Sequence, residues 1–291
     1  MTWISRLCET YDNCSANVLN AGTEKDLLPI GHTTQYAQIE IVLDADGNFL
    51  SARVLDNDKG QGENEAVTII PCNEDSANRS GKKIAPHPLF DKLEYIAGDY
   101  PTCVLSKECR FSDYAKQLQK WCESPYSHEM IRAIFSYVSK KTVMADLIRA
   151  QVLPTDASGT ILEKWAGDPE QKPEIFKHTG IPADAFVRFC VEIRGMPDSR
   201  VWMNEEVRER FIAYYMHAFP NTGTCYVTGQ TDVPVSRKSA GKIRNAGDRA
   251  KIISSNDGTG FTFRGRFVSP DQAVTLSYEA SQKSINALKW L

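Results

Sequence analysis

The chain has 291 residues, 42% hydrophobic and 24% charged, with a formal net charge of -3. That is enough for one large domain or two smaller ones around a buried core, and no apolar run nears the roughly 18 residues of a bilayer-spanning helix. Arg6, Glu9 and Asp12 exclude a secretion-signal core at the start. The eight cysteines form no CxxC pair, so free thiols in a reducing cytoplasm are expected, with a Cys103–Cys109 disulfide as the alternative.

In chain order, Trp3, Leu7, Tyr11 and Val18 share a helical face and predict an opening amphipathic helix. QIEIVL (38–43) and FLSARVL (49–55) alternate as paired strands around Asp44-Ala45-Asp46-Gly47-Asn48, which reads as a hairpin turn. The acids there do not fit a calcium loop, because Gly47 comes at the fourth position and no Glu closes the run. AVTIIP (66–71) predicts a third strand, followed by the polar loop CNEDSANRSGKKIAPHP. Helical periodicity runs from Phe111 to about Leu153, and prolines mark 156–182 as loop-rich. AFVRFCVEIR (185–194) predicts a buried strand, and Glu205–His217 a helix whose aromatics, with Trp202, are expected in the core. Ser269 and Pro270 look like the cap and first turn of a last helix running to Leu291. The expected class is α+β, with mixed antiparallel sheet elements and packed helices. It divides into a β-rich part over 1–110, a helical part over 111–184 and an α+β part over 185–291.

Two segments concentrate positive charge on this mildly anionic chain. The first is Asn78, Arg79, Ser80, Lys82 and Lys83, where Gly81 permits close backbone approach and Pro86 and Pro88 stiffen the exit. The second places Arg237, Lys238, Lys242, Arg244, Arg249 and Lys251 within fifteen residues, followed by Ser254, Ser255 and Asn256. Glycines break it, so it is not one basic helix. Cations with interleaved hydroxyls and amides suit nucleic-acid phosphates; the plainer alternative for both segments is a solvated loop or an acidic neighbour. Gly81-Lys82 lacks the remainder of a phosphate-binding P-loop, and the five histidines are isolated from other metal-type ligands.

The collinear order of QIEIVLDADGNFLSARVL, RSGKKIAPHPLFDKLEYIAG, AFVRFCVEIR, YYMHAF, CYVTGQTDVPVSRKSAGKIRNAG and RFVSPDQAVTLSYEASQKSINALKWL resembles the N-terminal half of the large subunit of the type I-C CRISPR surveillance complex (Cascade). The resemblance covers essentially the whole chain. Members of that family are about twice as long and end in a helical bundle, which is expected to be absent here. The resemblance implies a cytoplasmic, non-catalytic subunit without cofactor or metal, whose partners are double-stranded target DNA, a guide-RNA assembly with backbone and 5′-end subunits, and a helicase-nuclease. It further implies inspection of the protospacer-adjacent motif and help in opening the duplex, while base pairing reads the rest of the target. Asn78 through Lys83 and the segment from Arg237 to Asn256 are then the DNA-binding candidates. A metal-dependent nuclease using Asp44 and Asp46, and a scaffold whose basic loops bind only proteins, stay open as alternatives.

Overall fold

The computed structural model describes residues 2–14, 27–56, 64–79, 83–105, 107–236, 239–241, 243, 251–255 and 266–291. Helix α1 (Trp3–Cys14) opens the chain. The residues group into two compact units, one of Gly22–Glu24 with His32–Tyr214 and one of Met1–Ala21, Lys25–Gly31 and Tyr215–Leu291. The second unit draws on both ends of the chain, a grouping that division by sequence order does not anticipate.

In the unit around 32–214, alternation sets the sheets. β1 (His32–Tyr36) pairs antiparallel with β4 (Val67–Pro71), His32 facing Pro71 and Tyr36 facing Val67. β2 (Ile39–Asp44) and β3 (Phe49–Val54) form the expected hairpin, with a register shift between Val42 and Leu43. β2 also pairs parallel with β6 (Phe186–Glu192), Ile39 opposite Val187, and the short β5 (Asp91–Lys92) flanks β6. The sheet order is thus β3-β2-β6-β5. A parallel pair needs a crossover, and here it carries α2 (Glu74–Ala77), α3 (Leu93–Ile96), α4 (Phe111–Cys122), α5 (Glu129–Ser139), α6 (Val143–Arg149) and α7 (Ile175–His178). Helix α8 (Glu205–His217) follows β6.

One face of the sheet is apolar. Ile39, Ile41 and Leu43 of β2 are fully buried beside Val187, Phe189 and Val191 of β6, with Phe90 and Tyr137 against Phe189. Of the aromatics expected in the core, Trp202 and Phe211 are buried and Trp121 packs on Phe211 and Tyr214 at 5.2 and 6.0 Å, whereas Tyr214 and Tyr215 are only half-buried.

The other face carries a charged ladder. Glu40 lies opposite Arg53 of β3 and Arg188 of β6. Arg53 Nε donates to one carboxylate oxygen at 2.8 Å; Arg188 Nε and Nη2 donate to the other at 2.9 and 2.7 Å. Arg188 Nη1 reaches on to the Glu65 carbonyl at 2.7 Å and the Thr68 hydroxyl at 3.3 Å, and Trp202 covers the guanidinium at 3.8 Å. Burial lowers the Arg188 pKa against the pull of Glu40, but an arginine remains charged.

The hairpin turn docks on α5. Asp44 Oδ1 accepts from the amides of Asp46 and Asn48 at 2.9 and 2.8 Å. Lys140 Nζ donates to the Gly47 carbonyl at 2.7 Å, and Ser136 Oγ to that of Asp46 at 3.1 Å. Gly47 has φ +76°, and a β-carbon there would lie 2.3 Å from the Ala133 carbonyl oxygen. Left-handed backbone and backbone collision together forbid a side chain, so Gly47→Ala is expected to cost about 2–4 kcal/mol, read by denaturant unfolding.

His128 caps α5, its Nδ1 accepting from the Met130 amide at 3.2 Å while Nε2 faces Glu206 at 3.6 Å. Burial lowers its pKa from 6.5, more than the Glu206 charge raises it; Arg210 also lowers it. The folded state therefore refuses a proton that the unfolded chain accepts below about 6.5, and stability contributed here falls as pH drops through that value towards the folded pKa. His128→Asn keeps a capping oxygen and removes the titration. Its unfolding midpoint should lose less than the wild-type midpoint between neutral pH and the low side of 6.5; parallel losses would refute the assignment.

In the second unit, Leu7 and Tyr11 of α1 pack with Leu27 and with Ala287 of α10 (Tyr278–Trp290). Trp3 is largely exposed, and Val18, expected on the same helical face, lies outside the described residues. β7 (Thr222–Gly223), β8 (Val233–Ser236) and β9 (Leu276–Ser277) form a small antiparallel sheet. The last helix is not continuous from Ser269, as the capping pattern predicted: α9 (Pro270–Ala273) ends after one turn and α10 restarts, capped by Ser277, whose hydroxyl accepts from the Ala280 amide at 3.0 Å. The break has a local cause. Thr275 Oγ1 donates to the Thr224 carbonyl, the Thr275 carbonyl accepts from the Tyr226 amide, and Leu276 joins the sheet.

Candidate nucleic-acid interface

The first basic segment begins where β4 ends. Asn73 caps α2: its Oδ1 accepts from the Ser76 amide at 2.7 Å, and the Ser76 hydroxyl accepts from the Asn73 amide at 3.0 Å, a reciprocal capping box. Asn78 follows the helix on the surface, its Nδ2 donating to the Glu74 carbonyl at 2.8 Å. Arg79 turns inward. Its two terminal nitrogens each donate to one oxygen of Asp91 at 2.8 Å, Nη1 also donates to the Ala85 carbonyl at 3.1 Å, and the guanidinium lies 4.6 Å from the Tyr95 ring centre.

Asp91 is fully buried and also accepts the amides of His87 and Lys92, both at 2.8 Å. Chain leaving α2 and chain entering β5 are therefore fastened at one carboxylate. Burial opposes the Arg79 charge, but the hydrogen bonds and charge of Asp91 outweigh it and raise the arginine pKa. Helix α4 braces the same closure, since Gln117 accepts from Asn73 Nδ2 at 3.3 Å and donates to the Pro86 carbonyl at 3.2 Å. Lys83 stands exposed at the far side, paired with the equally exposed Asp75. Ser80 and Lys82 lie outside the described residues.

The second basic segment has a similar neck in the other unit. The Ser239 amide donates to the Ile253 carbonyl at 2.8 Å, and the Ser239 hydroxyl accepts from the amides of Ile252 and Ile253 at 3.1 and 3.2 Å. The next amide, Ala240, donates to the Ser281 hydroxyl of α10 at 2.8 Å. Lys251 is half-buried beside this neck, Ser254 is exposed, and Ser255 is buried with its hydroxyl on the Val274 carbonyl at 3.3 Å. Arg237, Lys238, Lys242, Arg244, Arg249 and Asn256 lie outside the described residues.

A family model described as CRISPR-associated protein (Cas_Csd1) matches residues 7–291. The chain belongs to the Csd1 family. It is thus a large subunit of the type I-C Cascade class. Comparison with curated proteins finds no match.

For this Csd1 chain, the described candidates Asn78 and Lys83 are at the surface, whereas Arg79 is a clasp. The sequence reading missed Asp91, Tyr95, Gln117 and Ser239, the residues that hold the segments. Asp91 gave no sequence signal, because Lys92 and Glu94 close beside it make the stretch read as an ordinary charged surface. Elsewhere, the Asp44 carboxylate is engaged by its own turn, Oδ2 accepting from Asn48 Nδ2 at 2.9 Å. Among the described residues, no three His, Cys, Asp or Glu side chains gather as metal ligands do, and no helix is long and apolar enough to cross a membrane. All eight cysteines are free thiols.

The two cations of the first segment should separate cleanly in stability. Arg79→Ala leaves a buried carboxylate short of its counter-ion and is expected to cost about 3–5 kcal/mol in urea unfolding. Lys83→Ala removes a solvent-screened pair and should stay within about 0.5 kcal/mol. Comparable losses from both would contradict the clasp.

Proposed function

We propose that this Csd1-family subunit is a non-catalytic reader of duplex DNA within an RNA-guided complex. The segment from Asn78 to Lys83 inspects the protospacer-adjacent motif, and the cations between Arg237 and Lys251 hold phosphates. The observation that carries this reading is the clasp of Arg79 on Asp91. It spends one cation on fastening the chain leaving α2 to the chain entering β5 and leaves Asn78 and Lys83 at the surface. Ordered ends limit the entropy lost when such a segment engages a groove. An amide such as Asn78 can bond base edges, while lysines supply sequence-independent affinity.

On this reading the subunit helps open the duplex for guide pairing and presents the assembled complex to a helicase-nuclease; it acts in the cytoplasm and cuts nothing itself. Family membership supports the assembly context. Engagement of the Asp44 carboxylate within its own turn speaks against a metal pair with Asp46.

Gel shifts of the assembled complex on duplexes with matched and mismatched adjacent motifs test the proposal. Lys82→Ala with Lys83→Ala should weaken binding to all duplexes and flatten its salt dependence, whereas Asn78→Ala should narrow the gap between matched and mismatched motifs. Unchanged affinities in all variants would remove the segment from the DNA site. Divalent-metal-dependent cleavage by the isolated chain, lost on replacing Asp44 or Asp46, would make it a nuclease instead.

A further inference from the structure

The helix that leads into Asn78 is the single turn α2, and it is tied down at both ends. At its C-terminal end Arg79 closes on Asp91. At its N-terminal end Asn73 Nδ2 donates to Gln117 Oε1 of α4 at 3.3 Å, and Gln117 Nε2 donates onward to the Pro86 carbonyl at 3.2 Å. The directions of these bonds are forced. Asn73 Oδ1 already accepts from the Ser76 amide, so its nitrogen faces Gln117, and the Pro86 carbonyl can only accept. Gln117 therefore supplies an acceptor and a donor from one planar amide. Tyr114, one turn earlier on the same face of α4, grips the exit again, its hydroxyl donating to the Leu89 carbonyl at 2.7 Å. Helix α4 is a firm support for both contacts, with Tyr114, Leu118 and Trp121 buried.

A clasp at one end alone lets a short helix pivot about it, whereas a second tie at the other end sets its direction. Asn78 follows that direction, because its Nδ2 is held to the Glu74 carbonyl of α2 at 2.8 Å. We propose that Gln117 is a positioning residue for motif reading: it orients α2 so that Asn78 meets a base edge, and it contacts no nucleic acid itself. Hydrogen bonds to base edges depend steeply on angle, while attraction between lysines and phosphates does not. Loss of the Gln117 ties should therefore fall on discrimination between motifs and spare the salt-dependent part of the affinity. The inference rests on Asn78 contacting the adjacent motif, as proposed for the subunit.

The test uses the full chain in the complex assembled on guide RNA, with duplexes carrying matched and mismatched adjacent motifs. Gln117→Glu keeps the acceptor for Asn73 and sets a carboxylate against the Pro86 carbonyl. Asn73→Asp keeps the helix cap and removes the donor from the other side. Each should narrow the matched-to-mismatched affinity ratio on the order of threefold or more, with the slope of affinity against salt unchanged. Neither should narrow the ratio further once Asn78→Ala is present, since a residue acting through Asn78 then has nothing left to orient. An unchanged ratio, or narrowing that adds to that of Asn78→Ala, would overturn the proposal. A lowered thermal midpoint with equal weakening on both duplexes would also overturn it and leave Gln117 as a brace for the fold. If Asn78→Ala itself leaves the ratio intact, the motif reading fails and this inference falls with it.

Discussion

Glu40 is the constraint on which the larger unit rests. A carboxylate on the central strand, 5% exposed, is tolerable only because Arg53 and Arg188 approach it from the strands on either side. Each arginine fixes a register, since both are direct cross-strand partners of Glu40. A slip of one residue would turn Ile39, Ile41 and Leu43 out of the core and strand three charges at once. Arg188 then extends the constraint beyond the sheet by bonding the Glu65 carbonyl and Thr68 ahead of and within β4.

The same economy of charge recurs at the first basic segment. The arginine that sequence reading would offer to DNA is instead the residue that ties the chain leaving α2 to the chain entering β5. A guanidinium can do this because it satisfies both carboxylate oxygens, a backbone carbonyl and an aromatic face in one planar group. Lysine at the same position would lack the fork. Arginine and lysine in one run therefore divide into internal fasteners and surface charges, and composition alone does not sort them.

The hairpin, the buried strand at 186–192, the helices between 111 and 149 and the α+β class were all legible, because each rests on local periodicity or turn chemistry. What escaped was decided by distant partners. β1, rich in Thr and Gln, gains strand character from β4 across the intervening hairpin. The parallel pairing of β2 with β6 leaves no local signature in either strand. The helix expected from Ser269 does begin at Pro270, but it does not run on to the C-terminal end because Thr275 and Leu276 found partners in the small sheet, a tertiary contest that capping preference does not foresee. The cationic runs were visible as runs, while the aspartate, glutamine and serine that tether them were not.

Parallel pairing of β2 with β6 has a consequence for how the chain matures. Ile39 must wait for Val187, so during synthesis the hairpin leaves the ribosome with one flank unpaired and Glu40 matched by Arg53 but not yet by Arg188. Contacts so distant along the chain slow folding and lengthen the time for which an apolar edge is open to other nascent chains. The polar face of that hairpin, with its early Arg53–Glu40 pair, gives the waiting ribbon a charged side that discourages edge-to-edge association until its neighbour arrives.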